Sequence, residues 1–305
     1  MGKQADANAA LPLPIRSGVA PSYLWLNDAD AGVALAYLVA RFPDVGEATW
    51  LSRMARGEVV DGAGARIGPD SALLRGMRIW YYREIDAEPR IPFDEIILYQ
   101  DEHLLVVDKP HFLPTTPGGR FLHESLLVRL KHKLGLAQLV PIHRLDRETA
   151  GVVLLSKREE SRGAYQSLFQ NRNVEKEYEA LAAPLPGRSF PFVHRSRMVE
   201  GSPFFRMQEA DGEPNSETLV DLIDVTGGVA HYRLQPHTGR KHQLRVHMAS
   251  IGAPIMNDAF YPDALPEQAD DFARPLKLLA RAIAFDDPLS AQRRQFASAR
   301  SLYSV

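Results

Sequence analysis

Apolar positions recur along this chain with two rhythms, one of period near four and one of period two, and each marks different elements. Near the start, Ala34, Leu35, Leu38, Val39 and Phe42 fall at helical spacing, and Trp50, Leu51 and Met54 mark a second short helix ending near Gly57. Extended pieces follow at 58–60 and 78–82, between glycine-bearing turns. Residues 86–92 read as a proline-bearing linker. Beyond it, apolar runs at 96–99 and 104–107 flank Gln100-Asp101-Glu102-His103 as a hairpin. Leu122, Leu126, Leu127, Leu130 and Leu134 mark one helix face, closed by Gly135. A buried strand at 151–156 precedes a helix lined by Ala164, Tyr165, Leu168 and Phe169. Over 174–181, Glu175, Glu177 and Glu179 alternate with Val174, Lys176, Tyr178 and Ala180, so a half-buried strand turns Tyr178 inward beside Lys176. Strands at 217–224 and 229–235, turned by Thr226-Gly227-Gly228, and another near 276–285 complete the pattern.

These elements predict an α+β fold, a mixed, largely antiparallel central sheet with flanking helices over 89–305. A small α/β-ribbon module over 25–88 precedes it. Residues 1–24, with Pro12, Pro14 and Pro21 and little periodicity, are expected to form a flexible leader.

Composition narrows the function classes. With no cysteine, disulfides, iron–sulfur clusters and thiolate zinc sites are excluded, and a reducing compartment fits. No secretory signal and no apolar run of membrane length is visible, so a cytoplasmic location without membrane partners is expected. A formal charge of −2 means that any nucleic-acid contact must come from local clusters. Two are present: Arg129, Lys131, Lys133, Arg144 and Arg147, then Arg233, Arg240, Lys241 and Arg245. Either cluster also fits a solvated face.

The chemistry concentrates in two stretches. Ile142-His143-Arg144-Leu145-Asp146-Arg147-Glu148-Thr149-Ala150-Gly151 is a polar loop running straight into an apolar strand, where a rigid sheet can hold a carboxylate at a cleft. By itself, Asp146 beside Arg144 and Arg147 reads more readily as a structural ion pair than as a catalyst. The second stretch, Leu234-Gln235-Pro236-His237-Thr238-Gly239-Arg240-Lys241-His242-Gln243-Leu244-Arg245-Val246-His247, leaves a strand, turns at Gly239 and enters a helix. Leu244, Met248 and Ile251 share that helix's apolar face, and Arg245 lies off it, free to reach a carboxylate.

In this order, and with Lys176-Glu177-Tyr178-Glu179-Ala180-Leu181 between them, these motifs resemble the RluA-type family of RNA pseudouridine synthases, from about residue 98 to 288. The resemblance implies a pseudouridine synthase-like catalytic domain that isomerises uridine to pseudouridine in rRNA or tRNA, without cofactor or metal. It makes Asp146 the essential carboxylate, Tyr178 the aromatic against the target base, and Arg245 the partner of Asp146. Arg144 would help hold the flipped nucleotide. His143, Thr149, Lys176, Arg240, Lys241, His242 and Gln243 would complete the substrate contacts. The partner implied is a structured RNA with the uridine in a loop, met by a monomer. Ala150, Lys241, Asn257, Pro262 and Leu279 depart from the family pattern. On layout and on the stretch Arg56-Gly57-Glu58-Val59-Val60-Asp61-Gly62, the leading module resembles the alpha-L RNA-binding module, and an accessory packing role fits as well.

Three rivals stand beside this reading. His237, His242 and His247 suggest a metal, but their spacing of five leaves them off a common helix face. An inactive RNA binder of the same fold is the alternative, although a binder has no need of a carboxylate in its most cationic loop. A carboxylate-pair glycosidase would need a second acid in a setting like that of Asp146, and none is evident from the sequence.

Overall fold

In a computed structural model the described residues are 11–27, 32–85, 88–266 and 269–303. They divide into two compact units, one of Met1–Glu88 with Gly119–His123, the other of Pro89–Gly118 with Glu124–Val305.

The first unit runs β1 (Ser22–Trp25), α1 (Ala34–Arg41), α2 (Glu47–Ala55), β2 (Val59–Val60) and β3 (Arg78–Tyr81). Its antiparallel sheet has the order β1-β3-β2. Leu24, Ile79 and Tyr81 pack with Leu38, Trp50 and Met54 of the helices, and the Trp50 side chain is fully buried. The expected flexible leader is corrected here. Ser22–Trp25 pairs with β3, Leu13 is buried with Val60, Trp80 and Tyr82, and the Tyr82 hydroxyl donates to the Pro14 carbonyl at 2.6 Å. A four-residue strand behind three prolines is too short to give a period, so packing decides what the local pattern leaves open. Residues 1–10 of that leader lie outside the described residues.

The second unit runs β4 (Ile96–Gln100), β5 (Leu104–Lys109), α3 (Leu126–Leu134), β6 (Val140–Pro141), β7 (Ala150–Ser156), α4 (Glu159–Gln170), β8 (Glu175–Ala182), β9 (Phe192–Glu200), β10 (Met207–Ala210), β11 (Ser216–Thr226), β12 (Val229–Pro236), α5 (Gln243–Ser250), β13 (Leu278–Asp286) and β14 (Arg293–Ala297). One eleven-stranded sheet has the path β10-β9-β11-β12-β8-β13-β7-β5-β4, with β14 on β13 and β6 on β7. Among the described residues only β13 against β7 is parallel, so the fold is α+β with a mixed, largely antiparallel sheet. β5 and β7 are buried at every position, which is why they read as continuous apolar runs. Gly227 and Gly228, both at positive φ, turn β11 into β12. α3 begins at Leu126 rather than near Leu122, where Leu126 and Leu127 donate to the carbonyls of Pro114 and Thr115. Among the described residues no helix is long and apolar enough to cross a membrane.

Candidate active site

In the second unit a cleft opens between the loop entering β7 and the loop leaving β12. The first loop is held from below. Thr115 Oγ1 donates to the Leu145 carbonyl at 2.9 Å and accepts from its N–H at 3.2 Å. Lys109, at the end of β5 and fully buried, donates to the carbonyls of Pro110 (3.0 Å), Leu113 (2.7 Å) and Arg147 (3.1 Å). Burial pushes its pKa down to about 7, against the pull of Glu148 and Asp146. His111 Nδ1 donates to the Glu148 carbonyl at 2.6 Å, and burial lowers its pKa to about 4, so it serves as a neutral donor. Gly151 closes the loop at φ +117°. A Cβ there would meet the Ala280 carbonyl oxygen at 2.2 Å, so only glycine lets β13 approach.

Backbone and amide bonds brace the second loop. Thr238 Oγ1 accepts from Glu217 N–H (3.0 Å) and donates to Gln243 Oε1 (2.7 Å). That amide oxygen also accepts from Arg240 N–H (3.0 Å), while Nε2 donates to the Glu217 carbonyl and Thr218 Oγ1, both at 3.0 Å. Gln243 therefore spends its hydrogen-bonding capacity on shaping the loop.

Arg245 emerges from the first turn of α5 with 1% exposure. Its closest carboxylate is Asp258, fully buried, which takes Nε at 2.8 Å and Nη2 at 2.6 Å in a bidentate pair. Phe260 and Tyr261 N–H groups donate to the same Asp258 Oδ1. The remaining Nη1 reaches Asp146 Oδ2 at 3.4 Å and Glu148 Oε2 at 3.5 Å. Burial opposes the guanidinium's charge, but the hydrogen bond and charge of Asp258, then Asp146 and Glu148, raise its pKa above the usual arginine value. The Arg245–Asp146 pairing expected from sequence is therefore the looser arm of a three-carboxylate cluster. Glu148 is the second acid that the sequence reading did not find, but it does not line the cleft and its other oxygen is held by Arg147 Nε at 3.0 Å. Asn257 stands at φ +61°, a conformation glycine adopts freely and asparagine tolerates, so this departure from the family pattern leaves the Asp258 turn intact.

Asp146 is 26% exposed and lines the cleft. His242 Nε2 lies 3.9 Å from its Oδ1, and His242 Nδ1 pairs with the Tyr261 hydroxyl at 2.9 Å. Burial lowers the His242 pKa despite Asp146, so the ring is neutral at physiological pH. Across the cleft, β8 presents Lys176 and Tyr178 on one face. Burial, then the Asp146 charge, raises the Tyr178 phenol, and burial, then Arg172, pushes Lys176 down to about 8. Lys176 Nζ donates to the Thr238 carbonyl at 3.1 Å.

Arg144, Thr149, Arg240, His242 and Gln243 also line this cleft. Two of the residues expected there do not. His143 stacks on Phe169 at 4.6 Å, its Nε2 accepts the Leu154 N–H at 3.1 Å, and burial drops its pKa to about 3, so it braces the sheet. Lys241 is exposed outside the cleft. Among the described residues, five of the nine cations in the two basic clusters are paired: Arg129 with Glu124, Lys133 with Glu95, Arg147 with Asp270, Arg233 with Asp221 and Arg245 with Asp258. Arg144 and Lys241 form no ion pair among the described residues. The three histidines considered for a metal do not converge. His194, Glu209 and His247 do lie together, but His247 is spent on hydroxyls, Nδ1 on Thr218 and Nε2 on Ser216, both at 2.9 Å.

Residues 103–250 match the RNA pseudouridylate synthase family. An uncharacterised RNA pseudouridine synthase of Synechocystis is 28% identical over 229 residues, 71% of this chain and 75% of that protein. The dual-specificity RNA pseudouridine synthase RluA of Salmonella typhi is 34% identical over 176 residues, 56% of this chain and 79% of its own length. The chain belongs to the RluA-type family of RNA pseudouridine synthases. Its fold agrees: the human RNA pseudouridylate synthase domain containing 4 superposes with a TM-score of 0.54 at 26% identity, covering 68% of this chain and 89% of that one. An RluA-type synthase is an isomerase acting on RNA.

Proposed function

We propose that this enzyme converts specific uridines of rRNA, tRNA or both into pseudouridine in the cytoplasm, without a cofactor, using Asp146 as its catalytic carboxylate. The observation that carries the proposal is the cleft itself, where a part-exposed carboxylate faces a tyrosine ring and is backed by a buried guanidinium.

The reaction breaks the C1′–N1 bond, turns the base and joins C1′ to C5, with N1 gaining a proton and C5 losing one. A carboxylate can attack or steady the opened sugar–base unit. Arg245, fixed by Asp258, keeps Nη1 behind Asp146 and offsets the loss of water when a base closes the cleft. Tyr178 gives the base a stacking surface worth about 1 to 3 kcal/mol. Its phenol stays protonated, so the C5 proton goes to another acceptor, and Asp146 is the anion at hand. Arg144 and Arg240 at the rim, with Lys176 deeper, suit the phosphates on either side of the flipped nucleotide. Extruding a uridine costs a few kcal/mol and less from a loop, which favours a loop target.

Mapping pseudouridines in total RNA from cells with and without the gene tests the assignment. One or a few loop positions in rRNA or tRNA should revert to uridine, and an unchanged map would sink it.

A further inference from the structure

The first unit carries a surface that this chemistry does not use. In β1, Tyr23 and Trp25 point to the sheet face opposite Leu24, which faces the core. The register sets Tyr23 against Trp80 and Trp25 against Arg78. The Tyr23 and Trp80 rings lie 4.7 Å apart, and the Arg78 guanidinium sits 4.1 Å from the centre of Trp25 and 5.0 Å from that of Tyr23. Four flat groups thus stand side by side. The segment holding Leu13 and Pro14 covers the Val60, Trp80 and Tyr82 side of this face. It leaves Tyr23 49% and Trp25 48% exposed.

The surrounding charge says what would cover them. Arg78, and Arg75 just before β3, form no ion pair among the described residues. Among the described residues of the unit, Glu58 is paired with Arg16 and Arg56, Glu84 with Arg53 and Arg56, and Asp61 accepts from backbone N–H groups of its own turn, so these three acids leave Arg78 uncompensated. Exposed rings interleaved with an uncompensated guanidinium suit nucleobases and their phosphates. We infer that Tyr23, Trp25 and Arg78 form a stacking platform for unpaired nucleotides of the RNA substrate, outside the segment held in the cleft. This rests on RNA being the substrate, but not on the role of Asp146.

The test measures affinity of the full chain for a fluorescein-labelled single-stranded RNA decamer and for the same sequence as a duplex, and turnover on a stem–loop with and without a single-stranded flank. Trp25→Ala should weaken decamer binding about tenfold, the scale of one lost base stack, and Trp25→Phe should restore most of it. Duplex affinity should hold. On the flanked substrate KM should rise about tenfold with kcat unchanged, and the unflanked stem–loop should show no change. Because Tyr23 packs on Trp80, Tyr23→Ala is read only with a melting curve matching the parent, and Arg78→Gln serves as the second variant, expected to lower decamer affinity and its salt dependence. Decamer binding unchanged in both Trp25→Ala and Arg78→Gln overturns the platform, and leaves the face to a protein. Failure of the unmodified enzyme to form pseudouridine would count against the proposed reaction and not against this surface.

Discussion

Asp258→Asn removes half of the bidentate clamp on Arg245 while keeping the side chain's size. Both partners are buried, and the lost contact is a charge-assisted bond at 2.6 or 2.8 Å. Removing one member of a buried ion pair costs about 3 to 5 kcal/mol. Asparagine keeps an oxygen for one guanidinium bond or the turn, and Asp146 and Glu148 still face Nη1 at 3.4 and 3.5 Å, so the low end, about 3 kcal/mol, applies. In a domain of this size that is a melting decrease of about 6 to 12 °C. The freed guanidinium closes on Asp146, and a shift of about 1 Å at a reacting group costs on the order of a hundredfold in rate. Thermal unfolding followed by circular dichroism reads the first effect, and tritium release from C5-labelled RNA reads the second. A variant that melts within about 2 °C of the parent, well under the expected decrease, and turns over normally would show that Asp258 does not anchor Arg245.

Other consequences follow from the buried titratable groups. Lys176, with its pKa lowered to about 8, loses its charge as pH rises through that value, so KM for RNA should climb there, and Lys176→Gln should abolish the climb. An alkaline limb that persists in Lys176→Gln assigns it elsewhere. Tyr178→Phe should keep affinity and retain kcat to within about threefold, because a phenol held protonated supplies a ring and no base; a hundredfold loss of kcat would contradict this. Lys109 titrates at about 7 in the folded chain, because burial penalises its charge, but near the ordinary lysine value of 10.5 when unfolded. Between those values the unfolded state binds more protons, so stability should rise with pH over that window. Urea titrations at pH 7 and pH 9 should show the rise in the parent and not in Lys109→Met; equal slopes in both would remove Lys109 as its source.

How far the sequence disclosed this site depends on the range of each interaction. The strands legible in the sequence are those whose environment leaves a local trace: the fully buried β5 and β7, each built on a continuous apolar run, and β8, where glutamates alternate with inward Lys176 and Tyr178. β9 leaves no hydrophobic period because residue type does not follow burial there: the less exposed His194 and Ser196 are polar, while the exposed Val193 is apolar. Asp146 is legible as a carboxylate in a cationic loop, but its hold on Arg245 is weaker than the sequence suggests, since nothing local distinguishes Asp146 from Asp258 as the nearer partner of a guanidinium on α5. Lys109 carried a readable signal, a charge closing an apolar strand, although its three carbonyl partners come from turns that only the folded chain assembles. His143 and Lys241 sit in the right motifs and face the wrong way, a matter of side-chain direction that motif spacing does not encode.

The central claim is that the carboxylate of residue 146 performs the isomerisation. Tritium release from C5-labelled RNA by Asp146→Asn, measured beside its RNA affinity, addresses it directly. The expected result is no detectable release with binding close to that of the parent, while release at the parental rate would contradict the account.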